Sequence, residues 1–203
     1  MARLIFVRHA PTPETGRSLI GRLPGHSLSD EGKAMAEALG ERLKATRLAA
    51  IYSSPLERTF ETAMAIARHH SRPVVLHDGL LEVDYGDWSG RTLKSLYRLK
   101  AWRMVHHSPS RVRFPNGESL LEAQARAVGV CEEVVRRHRQ QVVALVTHAD
   151  VIKTAVSHYL GQPLDLFNRI AVAPASVSVL DLSEEGPTRL MNLNTNGDPR
   201  SWQ

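Results

Sequence analysis

The chain is predicted to fold as an α/β protein, a three-layer α/β/α sandwich around a mostly parallel, doubly wound sheet with an antiparallel strand at its edge. Three observations lead there. Short apolar, β-branched runs alternate with amphipathic segments, as in repeated βαβ units. The run Val142 to Val146 is continuously apolar, as expected of a strand covered by helices on both faces. The last part, Ser176 to Leu182 and Thr188 to Asn194, alternates without an intervening helix and predicts an edge hairpin.

The elements follow in order. Arg3 to His9 reads as a first buried strand, stopped by Ala10-Pro-Thr-Pro13 because proline cannot continue a ladder. Ser29-Asp-Glu31 supplies a cap and an acidic first turn for a helix carrying Met35, Ala38, Leu39 and Leu43 at helical spacing. Ala49 to Tyr52 fits a second strand. Ser54-Pro55 then gives a capping hydroxyl and a proline at the first helical position of a helix over Leu56 to His69. Val74 to Leu76 reads as a third strand, and Gly79, Gly86 and Gly90 mark an irregular stretch around Glu82 and Trp88. A helix is predicted from Thr92 to Val105, a mobile connection from His106 to Gly117, and a long helix from Ser119 to Arg139 with a basic end that suits the helix dipole. After the strand ending at Thr147-His148, a helix from about Val151 to Leu160 is closed by Gly161 and Pro163. The whole of 1–203 reads as a single domain, with an insertion over the sheet at about 82–117.

Composition sets outer limits. The 203 residues are 42% hydrophobic, enough for a full core and incompatible with a disordered chain. The net charge of +5 allows a polyanionic partner without requiring one, and aromatics at 5% leave few platforms for stacking bases. The single cysteine, Cys131, sits among apolar helix neighbours and asks for no oxidising compartment. Leu4 to Val7 is too short for a signal-peptide core or a membrane span. The expected location is cytoplasmic, with no membrane partner.

Ligands of open α/β sheets bind at the carboxyl ends of the strands, where helix N-termini present free N–H groups. That rule selects Arg8 and His9 after the first strand, Arg58 in the first turn of the following helix, Glu82 in the loop after the third strand, and His148 after the strand Val142 to Val146. Taken singly, each has an ordinary reading as an ion pair or a hydrogen-bonded core residue. Together they have the chemistry of a site for a doubly charged, oxygen-rich anion: guanidinium groups hold phosphate bidentately, and a neutral imidazole can attack phosphorus. A second histidine can stabilise the transferring oxygens, and a carboxyl of raised pKa can protonate the leaving alcohol. His69-His70 and His106-His107 are adjacent pairs that do not share a helix face, and no metal-ligand spacing occurs. No metal and no cofactor are called for.

The motif Leu4-Ile-Phe-Val-Arg-His-Ala10 resembles the Arg-His-Gly signature of the histidine phosphatase superfamily, in the branch containing cofactor-dependent phosphoglycerate mutase and alpha-ribazole phosphatase-like enzymes. The likeness continues in order through Leu28-Ser-Asp-Glu-Gly32, Tyr52-Ser-Ser-Pro-Leu-Glu-Arg-Thr59, Leu81-Glu-Val-Asp-Tyr-Gly-Asp-Trp-Ser-Gly90, Pro115-Asn-Gly-Glu-Ser119 and Val146-Thr-His-Ala-Asp150. The resemblance implies a phosphoglycerate mutase-like fold. It also implies His9 as the phosphorylated nucleophile, Arg8, Arg58 and His148 as phosphoryl holders, and Glu82 as proton donor. Ala10 and Ala149 stand where the family usually has glycine, and Thr15 stands where many members have a phosphate-contacting asparagine; its hydroxyl is the expected substitute.

The segment Glu82 to Gly90 resembles the phosphatase members more than the mutases, so the expected activity is hydrolysis of a small phosphorylated metabolite. A phosphomutase is the alternative, and a non-catalytic phospho-ligand-binding module a more distant one. Substrate contacts are expected from Thr12 to Arg22 and from the insertion, with Arg17, Arg22, Trp88 and Ala149 as candidates. Arg98, Lys100, Arg103, Arg111 and Arg113 are read either as a solvated helix face or as residues of which some line the entrance and attract anions, ahead of a nucleic-acid surface. An edge strand near the carboxyl terminus offers a route to a homodimer.

Overall fold

The computed structural model describes residues 1–183 and 186–197. Its main sheet has six strands in the order β4 (Val74–Leu76), β3 (Leu48–Ser53), β6 (Val142–Thr147), β1 (Ala2–Arg8), β7 (Val177–Leu182) and β8 (Arg189–Thr195). β4, β3, β6 and β1 are mutually parallel, whereas β7 pairs antiparallel with β1 and β8 antiparallel with β7. The hairpin at the carboxyl end therefore closes one edge, as its sequence alternation predicts.

Two apolar clusters cover the two sheet faces, which explains the unbroken hydrophobicity of the central strands. On one, Leu4, Phe6, Val143 and Leu145 pack under α5 (Leu120–Arg137) and α6 (Ala149–Tyr159) through Cys131, Val134, Ile152 and Val156. On the other, Ile5, Val7, Ala144 and Val146 meet Leu39 and Leu43 of α1 (Asp30–Leu43) and Ile66 of α2 (Glu57–Ala67). α1 is capped by the Ser29 hydroxyl, which accepts from the Gly32 amide at 3.0 Å. α5 begins with a reciprocal capping box between Ser119 and Glu122. Cys131 is fully buried, and desolvation pushes its thiol up to about 12, in keeping with a core role.

The segment between β4 and α5 differs most from its sequence reading. The expected helix over Thr92 to Val105 is two helices, α3 (Leu93–Leu96) and α4 (Lys100–His107), separated by an extended Leu99. The break lets Leu96, Trp102 and Val105 all face a third apolar cluster with Val83, Tyr85, Trp88, Phe114 and Phe167. His106 to Gly117 is not a free connection. Val112 and Phe114 are buried in that cluster, residues Pro109–Arg111 form a short 3₁₀ turn, and Arg113 bridges to Ser119. A small second sheet, β2 (Ser18–Leu19) with β5 (Arg91–Thr92), ties the loop after β1 to this segment; two-residue strands leave no readable periodicity.

Two further boundaries shift. α2 begins at Glu57 with Leu56 as N-cap and no side-chain cap, so Pro55 lies outside the helix. The Ser54 hydroxyl lies two residues before the N-cap, accepting from the Leu56 amide at 3.5 Å and from His148 at 3.0 Å. α6 begins at Ala149, immediately after β6, with His148 as its N-cap.

Gly86 joins the third cluster to the site. Its φ of +51° is a left-handed conformation, and a Cβ there would lie 2.0 Å from the Pro115 carbonyl oxygen. Gly86→Ala is expected to destabilise the protein by about 3 kcal/mol through overpacking and backbone strain. Thermal unfolding should show a Tm lowered by roughly 6–12 °C. An unchanged Tm would mean that the 84–90 turn is not held against Pro115.

Candidate active site

The parallel pairing of β1 with β6 places Arg8 opposite Thr147, so that His9 and His148 leave the sheet side by side at its carboxyl end. The His9 amide donates to the Thr147 carbonyl at 3.0 Å, which carries the ladder one step beyond the strands. The two imidazoles meet edge to face with centroids 5.2 Å apart. His9 borders a cleft of about 250 Å³ lined also by Arg8, Thr12, Glu14, Thr15, Gly16, the stretch 18–21, Arg58, Glu82, Tyr85, Leu93, Ala149 and Asp150, and fully buried His148 stands against His9 without lining it.

His9 is buried, and its Nδ1 lies 2.8 Å from the Ala10 carbonyl oxygen. A carbonyl can only accept, so Nδ1 carries the hydrogen. Burial, reinforced by the Arg58 and Arg8 charges, lowers the His9 pKa to about 3. A neutral ring protonated at Nδ1 leaves the Nε2 lone pair free. His148 is fully buried, and its pKa also falls well below the ordinary value, from burial first and then the Arg58 charge. Arg58 Nη2 donates to its Nδ1 at 3.3 Å. Guanidinium offers no acceptor, so His148 is protonated at Nε2 and donates to the Ser54 hydroxyl at 3.0 Å.

Arg58 is held from α2 by a second bond, from Nη2 to the Gly21 carbonyl at 2.7 Å, and Arg8 Nη1 donates to the Val172 carbonyl at 2.6 Å. Among the described residues, Arg58 Nη1 and Arg8 Nε are buried donors with no partner. Burial lowers the pKa of both arginines, although they stay cationic by virtue of a very high starting value. A buried and a half-buried cation on one cleft favour an anion between them.

Glu82 is buried with its Oε1 accepting from the Val83 amide at 2.9 Å and its Oε2 3.9 Å from His148 Nδ1. Burial, with the Asp150 charge second, raises its pKa to about 7. Asp150, in the first turn of α6, accepts from the Tyr85 hydroxyl at 2.9 Å and from Lys153 at 3.1 Å. Its burial acts to raise its pKa, but Lys153 and Tyr85 outweigh that and hold it below the usual value.

Arg8, His9, Thr15, Arg58, Glu82, His148 and Ala149 thus come together. Thr15 lines the cleft while its hydroxyl accepts from the Thr12 amide at 2.9 Å, bracing the loop after β1. Arg22 does not reach the cleft: its guanidinium turns to the Glu82 carbonyl at 2.8 Å and to Glu118 at 3.0 Å. Trp88 is buried in the third cluster beside Trp102 and Phe114, and Arg17 is exposed outside the cleft lining. Arg98, Lys100, Arg103, Arg111 and Arg113 are all exposed on the insertion, and none lines the cleft; Arg113 is committed to Glu122. Tyr85 and Asp150 carry no predicted role, and Ser54 only that of a helix cap, although each lies inside one of the ordered motifs. Among the described residues, no group of three or more His, Cys, Asp or Glu is arranged to hold a metal ion, and no helix is long and apolar enough to cross a membrane.

Phosphoserine phosphatase 1 of Hydrogenobacter thermophilus is 35% identical over 199 residues, spanning 96% of this chain and 92% of that protein. Phosphoglycerate mutase-like protein 4 of Arabidopsis thaliana is 32% identical over 161 residues, or 75% and 69% of the two chains. The solved structure of a mycobacterial glucosyl-3-phosphoglycerate phosphatase superposes with a TM-score of 0.87 at 25% identity, covering 96% of this chain and 99% of its own. The profile of the histidine phosphatase superfamily (branch 1) matches residues 4–195, from the first strand to the last. Fold, ordered motifs and relatives agree, and the chain belongs to the histidine phosphatase superfamily.

Proposed function

We propose that this protein is a phosphomonoesterase that hydrolyses a small phosphorylated metabolite through a phosphohistidine at His9. The observation that carries the reading is the neutral His9, with its Nε2 free, beside buried Arg58 and half-buried Arg8, two cleft-lining arginines that each keep a buried donor without a partner among the described residues. Arg8 and Arg58 hold the phosphoryl oxygens, and Thr15 and the α6 N-terminus at Ala149 border them. His9 Nε2 attacks phosphorus as the P–O bond to the alcohol breaks, and protonated Glu82 gives its hydrogen to the departing oxygen. The resulting Glu82 carboxylate takes a proton from water, which attacks phosphorus as the P–N bond breaks. Phosphate, neutral His9 and protonated Glu82 are restored. The dianion favours a proton on His148 Nδ1, which then gives up its bond from Arg58 Nη2 and donates to the transferring oxygens.

Hydrolysis is preferred over phosphomutase transfer because the phosphatase-named relative matches more of the chain, and at higher identity, than the mutase-like one. The segment 82–117 supplies Glu82 and Tyr85 to the cleft, as an insertion acting within one domain. Phosphate release from phenyl phosphate, with alkali-quenched protein showing a phosphoryl group on His9, is the test; transfer between positions of phosphoglycerate without phosphate release would overturn it.

The pH dependence follows from Glu82. Its proton is present below about 7 and lost above, so kcat/KM for phenyl phosphate should fall about tenfold per pH unit beyond that point. His9, at about 3, is already neutral throughout this range. Glu82→Gln should remove the alkaline limb. A limb that persists in that variant would assign the proton to another group.

A further inference from the structure

The motif Pro115 to Ser119 has no role in the chemistry above, yet it supplies Glu118 to a charged cluster directly behind the proposed proton donor. Arg22 Nε donates to the Glu82 backbone carbonyl at 2.8 Å and Arg126 Nη2 donates to the same oxygen at 3.0 Å. Both guanidiniums are in turn braced by one carboxylate. Glu118 Oε1 accepts from Arg22 Nη2 at 3.0 Å and from Arg126 Nη2 at 2.8 Å, while Oε2 accepts from Arg126 Nε at 3.1 Å. Glu118 Oε1 also accepts from the Asp84 amide at 2.9 Å, and the Glu118 amide donates to the Asp84 carbonyl at 3.0 Å. Arg126 Nη1 reaches back to the Gly79 carbonyl at 2.9 Å, so that the chain is gripped both before and after Glu82.

Charge-assisted, bidentate contacts of this kind are shorter and stronger than neutral ones and fix orientation as well as distance. The carboxylate sits at 14% exposure with Arg126 at 21%, so solvent screens the cluster only in part. The residues come from three separate places in the chain: the loop after β2, the residue two before α5, and the second turn of α5. They converge on a peptide unit that no regular element supports, since Glu82 lies in a loop.

We propose that Glu118, Arg126 and Arg22 form a clamp on the Glu82 backbone and act as positioning residues for proton donation to the leaving group. The clamp touches no reacting atom. It sets where the Glu82 carboxyl stands relative to His9, and a displacement of about 1 Å at such a group costs up to 10²-fold in rate. This rests on Glu82 being the proton donor.

The test separates positioning from general stability through the leaving group. Phenyl phosphate releases a basic phenolate that needs a proton, whereas 2,4-dinitrophenyl phosphate releases an anion that does not. Glu118→Gln and Arg22→Lys are expected to lower kcat/KM for phenyl phosphate by about 10–10²-fold while changing that for the dinitrophenyl ester less than about threefold. Glu82→Gln should show the same selectivity, more strongly. Equal losses on both esters, or none on either, in a series where Glu82→Gln is selective, would overturn the clamp and leave the donor assignment standing. Absence of selectivity in Glu82→Gln itself would remove both. If Glu118→Gln fails to fold, Arg22→Lys, which keeps the cation and loses the fork, decides by the same ratio.

Discussion

His9→Ala is expected to abolish turnover of phenyl phosphate, by on the order of 10⁴-fold or more, because no other group near the cleft offers a free, uncharged nitrogen lone pair facing two arginines. His148 cannot take over, since its Nδ1 lone pair is bound to Arg58 and its Nε2 hydrogen to Ser54. The fold should survive: the substitution removes a ring whose one protein hydrogen bond is to the neighbouring Ala10 carbonyl, and it leaves the β1–β6 ladder intact. The measurement is steady-state turnover together with thermal unfolding, and retention of more than a few per cent of activity in the folded variant would sink the nucleophile assignment.

Arg58→Ala is expected to lower kcat/KM by about 10³-fold, as removal of a preorganised donor to developing charge does elsewhere. It also offers a readout that does not depend on catalysis. Inorganic phosphate should raise the Tm of the wild-type protein, since a ligand at about 100 times its Kd stabilises by about 2.7 kcal/mol. Arg58→Ala should lose most of that shift. A Tm response to phosphate that is unchanged in the variant would place the anion elsewhere on this basic chain.

Much of this was legible in the residues themselves, for reasons that differ from element to element. β1 and β6 are short apolar runs ending in charged or polar residues, and strand ends in a parallel sheet converge, so Arg8, His9 and His148 could be grouped from position alone. Arg58 followed because α2 starts just beyond β3. Arg22 shows where such reasoning stops. A guanidinium near a phosphate site looks like a ligand, but charge type does not tell which of several acceptors it reaches, and Glu118 lies 96 positions away.

The same limit hid the Tyr85–Asp150 bond, which joins a loop to a helix start across 65 positions. The split between α3 and α4 was concealed differently: Leu93, Leu96, Leu99, Trp102 and Val105 keep a three-residue spacing across the break, so the apolar pattern continues where the backbone does not. Ser54 has the residue type of a helix cap, yet the helix is capped two residues later and the hydroxyl also accepts from His148, a tertiary demand that local preference does not register.

The adjacency of β1 and β6 has one more consequence. Neighbouring strands are held about 4.8 Å apart by their hydrogen bonds, and the imidazoles that leave those two strands stand 5.2 Å apart. The spacing at which the two rings leave the sheet is thereby set by peptide geometry, a length common to every protein sheet, while the Ala10 carbonyl, Arg58 and Ser54 fix how the rings are turned. Loops and insertions around the cleft can change in length and composition without retuning it. The backbone acts as a ruler for the two histidines, insulated from drift in the loops that line the cleft.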